Sequence, residues 1–124
     1  MDLIDQHIIK RSTRAIKCLS LNSDFYKQIH LTGLSSEDVF SMKEKYISNV
    51  FFKLRREKKI EDNFLWLIKI GILRREVDGQ GLTSKVRITP LGRQILSKNP
   101  ALPDQDASIA ELIINWVSMK LLFN

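Results

Sequence analysis

Apolar residues recur with helical spacing through the first part of the chain. From residue 3 to residue 21 they roughly follow helical spacing, with basic residues on the opposite side, which predicts an amphipathic helix. Residues 22–24 (Asn-Ser-Asp) are turn and capping types, so we expect this helix to end near Leu21. A short helix or an irregular connection over 25–31 follows, and Gly33 closes it.

The centre of the chain predicts further helices. Residues 35–38 (Ser-Ser-Glu-Asp) combine a capping hydroxyl with carboxylates, which stabilise the first turn of a helix. The apolar residues over 39–54 then predict either one long helix or two helices joined near residues 45–46. Another helix is predicted over 60–70, and Gly71 suits the left-handed position at its end.

The pattern then changes from helical to alternating. Over 85–88, apolar and basic residues alternate with period two, which predicts a half-buried strand. An Asp-Gly pair at 78–79 separates it from an earlier run at 72–77, and this pairing favours a hairpin. Thr89 is a capping residue and Pro90 suits a first helical turn, so a helix should begin there and end near Ser97.

The C-terminal part combines a linker with a strongly apolar helix. Prolines punctuate 97–104, and a last helix is predicted over 106–123. A helix this apolar buries more than one side, so we expect a second subunit to cover it, with Ile8 of the first helix contributing. The predicted interface stripe of the last helix is Ile109, Leu112, Ile113, Trp116 and Val117.

The composition is that of an ordinary folded domain. The 124 residues are 44% hydrophobic and 27% charged, which suits one domain and excludes wholesale disorder. Cys18 is the single cysteine, so we expect a buried structural thiol and exclude both an intramolecular disulfide and a multi-cysteine zinc site. No apolar run approaches a membrane span, and the acidic start at 1–5 is not typical of a secretory signal. We therefore expect a cytoplasmic protein with no membrane partner.

Positive charge is concentrated in the middle of the chain. The formal net charge is +6, and residues 1–42 contribute nothing to it because five basic and five acidic groups cancel. Residues 43–93 hold thirteen basic and six acidic groups, and residues 94–124 hold two basic and three acidic ones. An excess confined to one segment is expected when that segment faces a polyanion.

No set of residues indicates catalysis, a cofactor or a metal. His7 and His30 are far apart in sequence and have no accompanying cysteine or carboxylate pattern. Glu61 and Asp62 are adjacent, so on a helix they do not face each other as an acid/base pair. The glycines at 79–81 precede no helix at the spacing of a phosphate-binding loop. We expect a protein that is not an enzyme.

Two segments carry a resemblance to a known family. Residues 64–75 (FLWLIKIGILRR) are an apolar helix end followed by a glycine, an apolar pair and two arginines. Residues 86–96 (VRITPLGRQIL) are a strand, a threonine and a small helix containing Gly-Arg. Over roughly 35–97 the chain resembles the winged helix-turn-helix domain of MarR-like and PadR-like transcriptional regulators. The resemblance implies a dimeric DNA-binding regulator with a recognition helix in the major groove and a wing on the backbone or minor groove.

Together, the pattern and the resemblance predict a mainly α fold with a small β-hairpin wing (α+β). We expect a single domain made of an N-terminal helical extension at 1–34, a winged helix at 35–97, a linker at 98–106 and a dimerisation helix at 107–124.

Three groups of residues are expected to contact double-stranded DNA. On the wing, side chains opposite Val86 and Ile88 should be solvated and form a cationic ribbon suited to phosphates. Basic residues at the turn between the central helices should clamp the backbone. The full set is Arg55, Arg56, Lys58 and Lys59 at the turn, Asn63 and Lys69 on the predicted recognition helix, and Arg74, Arg75, Lys85 and Arg87 on the wing.

The predicted recognition helix departs from the usual pattern. Its outer face carries Glu61 and Asp62, which repel phosphates, and Trp66, whose indole is not a usual base-edge reader, although Asn63 could pair with adenine. Three alternatives are open: residues 46–59 form the reading helix, Trp66 points inward, or this winged helix is a protein-interaction module that does not bind DNA. A buried indole would weaken the last alternative.

Overall fold

Along the described part of the chain, helices come first, then one hairpin, and then further helices. The structure is a computed structural model that describes residues 3–48 and 56–123. The fold is mainly helical with one two-stranded antiparallel sheet, so the predicted α+β class is confirmed. The elements are α1 (Leu3–Cys18), α2 (Ser23–Leu31), α3 (Ser36–Ser41), α4 (Lys43–Tyr46), α5 (Glu57–Lys69), β1 (Leu73–Asp78), β2 (Gly81–Ile88), α6 (Pro90–Lys98) and α7 (Ile109–Phe123).

Capping residues set the starts of three helices. The Asn22 side chain accepts a hydrogen bond from the backbone N–H of Phe25 at 3.1 Å and begins α2. Ser35 and Asp38 form a reciprocal capping box at α3, in which each side chain accepts from the backbone N–H of the other. The Thr89 hydroxyl caps α6 by accepting a hydrogen bond from the backbone N–H of Gly92 at 3.1 Å, with no reciprocal bond. These local signals explain why the predicted helix starts near 35 and 90 are close to the observed ones.

The central stretch differs from both predicted forms. α3 and α4 are short and meet at Met42, and Ile47 is extended and bridges Leu21. The backbone N–H of Asn22 donates to the Tyr46 carbonyl at 3.0 Å, so the chain here pairs with the segment after α1. One long helix is therefore wrong. A reading helix over 46–59 is wrong as well, because Ile47 and Arg56 are both extended; residues 49–55 lie outside the described part.

Aromatic residues from α2, α4 and α5 form the centre of the core. Phe25 is fully buried, its ring stacks on Phe64 at 5.7 Å between centroids, and it meets Tyr26 edge-on at 5.0 Å. Burying one such ring contributes roughly 1.5–3 kcal/mol. Cys18 is buried, as predicted. Packing around Phe25 thus holds α2 against α5.

The predicted linker region packs closely against the helices. Leu102 is buried within a 3-10 turn, Leu102–Asp104. The Asp104 carboxylate accepts hydrogen bonds from the backbone N–H of Ser23 at 3.0 Å and from its hydroxyl at 2.6 Å. A carboxylate at the start of α2 is favourable for that helix, so this segment helps to hold it in place.

A close backbone approach joins the hairpin to the helices on either side. Gly71 follows α5 with φ of 91°, a conformation that favours glycine. The Thr89 hydroxyl donates to the Gly71 carbonyl at 2.5 Å, and the Thr89 N–H donates to the Ile72 carbonyl at 3.0 Å. At Gly92 a Cβ would lie 2.8 Å from the Ile72 carbonyl oxygen and 2.7 Å from Cγ1 of Ile88. The base of the hairpin therefore has no room for a side chain at Gly92.

We expect Gly92→Ala to lower the free energy of unfolding by about 1–3 kcal/mol, because the neighbouring atom is a backbone carbonyl that has little freedom to move. The sign of the change in the free energy of unfolding distinguishes a steric effect from the ordinary one, since alanine in a helix interior usually stabilises by roughly 0.5–1 kcal/mol over glycine. Urea denaturation measures the change. Gly79→Ala is the matched control, because nothing lies within 4 Å of its added Cβ. Equal stability of the two variants would contradict the prediction.

Candidate nucleic-acid interface

The helix predicted to face DNA is α5, which begins three residues earlier than expected. Ile60, Phe64 and Leu67 are buried and fix which side of α5 meets the core. Arg56 precedes the first turn with an extended backbone and makes no side-chain capping bond. The opposite side of α5 is the one available to a ligand.

Trp66 points into the protein. It is fully buried, and its indole N–H donates to the side-chain carbonyl of Asn115 in α7 at 3.3 Å. Of the three alternatives left open by the sequence, the inward orientation of Trp66 is therefore confirmed. The indole that motivated a protein-interaction module is not on the outer surface of α5.

Both carboxylates of the predicted reading face are paired. Glu61 forms an ion pair with Arg75 of β1 and is about two-thirds buried. Asp62 pairs with Lys58 one turn earlier at 3.4 Å, an exposed i,i+4 pair that is worth little energetically. The negative charges of Glu61 and Asp62 are thus offset by neighbouring cations. These cations, Arg75 and Lys58, are therefore engaged in ion pairs.

The register of the hairpin separates the predicted cationic ribbon into two faces. Arg74 lies opposite Arg87, and Arg75 lies opposite Val86, so Arg75 is on the face that contains the core residue. Arg74 and Lys85 are exposed. A single ribbon of all four basic residues is therefore wrong, because side chains alternate along each strand and Arg75 turns toward Glu61.

Arg87 holds the fold together at the end of α2. Its guanidinium donates from Nε to the Ile29 carbonyl at 2.8 Å and from Nη2 to the His30 carbonyl at 2.9 Å. It also meets Glu76 at 3.3 Å. A cation on the last carbonyls of a helix stabilises that terminus. Arg87 does lie on the strand face opposite Val86, as predicted, but the expectation that it is solvated is wrong, because the side chain is half-buried against α2 in a contact between residues far apart in the chain.

Five of the predicted DNA-contacting residues remain exposed and form no ion pair with any other described residue. We call them the exposed basic set: Arg56, Lys59, Lys69, Arg74 and Lys85. Asn63 is half-buried, and its amide donates to the Lys59 carbonyl at 2.8 Å. Arg55 lies outside the described residues.

The tip of the hairpin has a feature that the sequence reasoning missed. Val77 and Leu82 are cross-strand partners and are 61% and 76% exposed. Gly81 adopts φ of 114°, and the N–H of Gln80 donates to Asp78 at 2.7 Å, so the turn is ordered by its own residues. The sequence did contain a signal for this apolar surface, namely the two apolar residues that flank the Asp-Gly turn. The tip therefore presents a small apolar surface beyond the basic residues.

The described residues contain no group of three or more His, Cys, Asp or Glu side chains that could hold a metal ion. Burial raises the pKa of the Tyr26 hydroxyl well above its ordinary value, so this group stays protonated over the whole physiological range.

We expect Arg87→Ala to lower the free energy of unfolding by about 2 kcal/mol, because it removes charge-assisted hydrogen bonds to two helix-end carbonyls and leaves Glu76 unpaired. Lys85→Ala on the same strand is the control and should change stability by no more than about 0.5 kcal/mol. Urea denaturation distinguishes them. If both variants unfold at the same urea concentration, Arg87 does not have this role.

Comparison with known proteins gives one family. A family model described as Npun_F0494-like matches residues 3–119. The searches of curated proteins and of solved structures found no match. In the part of the chain that is described, no helix has both the length and the apolar character needed to cross a membrane.

Proposed function

The chain belongs to the Npun_F0494-like family, and from its own residues we propose that it is a homodimeric winged-helix protein that binds duplex DNA and regulates transcription. The observation that carries the proposal is the exposed basic set, whose five cations lie on α5 and the hairpin and lack ion-pair partners among the described residues. Exposed cations on one supersecondary unit are the electrostatic feature of a phosphate-binding surface.

The length of α5 supports contacts on both sides of a groove. Its 13 residues span about 20 Å, whereas the major groove of B-DNA is about 12 Å wide. Arg56 and Lys59 lie at its N-terminal end, where the helix dipole also favours a phosphate. Lys69 lies at its other end, and Arg74 follows on β1. Cations at both ends of α5 suit phosphates that flank the groove.

The same residues favour holding the backbone over reading bases. The Asn63 amide is engaged with the backbone of its own helix, and Glu61 and Asp62 are paired with cations. Bidentate readers of base edges need both of their polar atoms available. We therefore expect phosphate contacts to supply most of the affinity, with sequence preference arising from DNA shape and from contacts of the hairpin tip.

A protein-interaction module is the weaker candidate. It was motivated by an acidic outer face that exposes Trp66, and that side chain is buried against α7. We also propose a cytoplasmic location, because duplex DNA is the expected partner, and the buried Cys18 thiol is compatible with a reducing compartment.

We expect binding to a pool of genomic DNA fragments to weaken steeply as salt rises from about 50 to 200 mM, because each neutralised phosphate releases counterions. The double variant Arg74→Ala/Lys85→Ala should reduce the slope of log affinity against log salt by about 2, since each phosphate contact contributes roughly 0.9. Fluorescence anisotropy over a salt series measures both slopes.

The matched control is Lys27→Ala/Lys98→Ala, which removes the same charge from exposed residues of α2 and α6. It should leave the salt slope unchanged. Undetectable DNA binding at about 50 mM salt would remove the proposal. An equal loss of slope in the control would show that only net charge matters and would overturn the assigned surface.

A further inference from the structure

The last helix is turned so that its polar side faces the protein and its apolar side faces outward. Asn115 is buried, and Glu111 and Met119 are half-buried, on the side that packs against the fold. All five residues of the predicted interface stripe are exposed, and so are Ile114 and Leu121. Their exposed fractions range from 36% to 77%. This is the reverse of an ordinary surface helix, whose apolar side is buried.

Specific polar contacts hold α7 in this orientation. Glu111 accepts from Lys17 of α1 at 3.0 Å, and Asn115 accepts from the indole N–H of Trp66 in α5. Glu111 also forms a capping box with Ser108 at the start of the helix. The Ser108 backbone N–H and Lys17 hold the pKa of Glu111 below its usual value. Rotating α7 to bury its apolar side would break these contacts with α1 and α5.

The outward surface has the size that a stable interface requires. At roughly 200 Å² for a large apolar side chain, the exposed fractions leave about 800 Å² uncovered on α7, which is the area each partner contributes to a standard interface. Apolar patches on ordinary monomers reach only about 300–600 Å². The apolar area uncovered on α7 therefore exceeds the patch typical of a monomer.

The chemistry of the outward surface of α7 favours a partner whose surface is also apolar. Between Ile109 and Leu121 the outward side has one charged residue, Lys120, whose ammonium lies 5.6 Å from the centre of the Trp116 ring. A strongly charged partner would find little to pair with, and an anionic membrane attracts helices whose polar side is basic. A predominantly apolar helix surface is complementary to itself when two copies are related by a twofold axis.

We propose that the outward surface of α7 is covered by α7 of a second copy of this chain. The two helices pack antiparallel, so that Ile113 and Trp116 lie near the twofold axis and meet their own counterparts. Residues of α1 flank the contact, because α1 packs along α7 in each copy and its Ile8 and Ile9 are half-buried. The resulting core is a bundle of four helices, two from each chain.

The surface is tied to the candidate DNA-binding helix. Trp66 of α5 and Asn115 of α7 are both buried and are joined by a hydrogen bond, so the position of α7 constrains that of α5. In a dimer formed by α7, the two copies of α5 are therefore held at one fixed separation. This consequence rests on the proposed DNA binding, whereas the contact between two copies of α7 rests only on the surface of α7 and gives the proposed homodimer its interface.

The test is the mass of the full chain in solution without DNA. At about 50 μM, well above the dissociation constant of a stable standard interface, sedimentation equilibrium should give twice the 14.4 kDa of one chain. The double variant Ile113→Asp/Trp116→Asp should give the monomer mass, because four carboxylates would meet at the axis. Circular dichroism checks that this variant keeps its helices.

Leu31→Asp is the matched control, since Leu31 is 74% exposed on α2 and outside the proposed surface. It should remain dimeric. A monomeric wild type, or a control that dissociates equally, would overturn the proposal. If the wild type is monomeric and instead sediments with phosphatidylglycerol vesicles, the occupant is a membrane and the dimer is wrong. Failure of DNA binding alone leaves the dimer standing, because the mass is measured without DNA.

Discussion

The close contact between the end of α5 and the start of α6 is the constraint on which the candidate interface depends. Gly71 turns the chain out of α5, Thr89 bonds back to that turn, and Gly92 allows the Ile72 carbonyl to approach the backbone of α6. Because these contacts are made by backbone atoms and by the short Thr89 side chain, they fix where the hairpin leaves the helix. The exposed basic set has a defined arrangement only because α5 and the hairpin share this rigid base.

The features that the sequence predicted well are those encoded locally. The caps at Ser35 and Thr89 and the Asp-Gly hairpin each need only a few neighbouring residues, so their signals are readable without tertiary structure. The central stretch was predicted poorly because Ile47 pairs with Leu21, and that long-range bridge overrides its apolar helical spacing. The outward stripe of α7 was readable as a predicted interface, whereas the contacts with Trp66 and Lys17 that orient the helix were not, because they join residues far apart in the chain.

The charge pattern was informative about the region and less so about individual residues. The segment 43–93 holds most of the basic groups, but Arg87 stabilises the end of α2, and Arg75 and Lys58 pair with carboxylates. An ion pair between α5 and β1 cannot be recognised from a repeating sequence pattern. Its two residues are 14 positions apart, one on a helix and the other on a strand, and these elements have different repeats. Sequence can therefore locate a basic segment, while only packing separates structural cations from those available to a ligand.

The short sheet also limits how this protein can associate with other chains. β2 is hydrogen-bonded to β1 on one side and to Leu34 on the other, with Val86 N–H donating to the Leu34 carbonyl at 2.8 Å. Within the described residues, the outer edge of β1 has no partner; it carries Arg74, Arg75 and Glu76 and is interrupted by an irregularity between Arg75 and Val77. Charged, irregular edges resist the addition of a further strand. Backbone pairing between copies along this edge, and the fibrous aggregation to which such pairing leads, is thereby disfavoured.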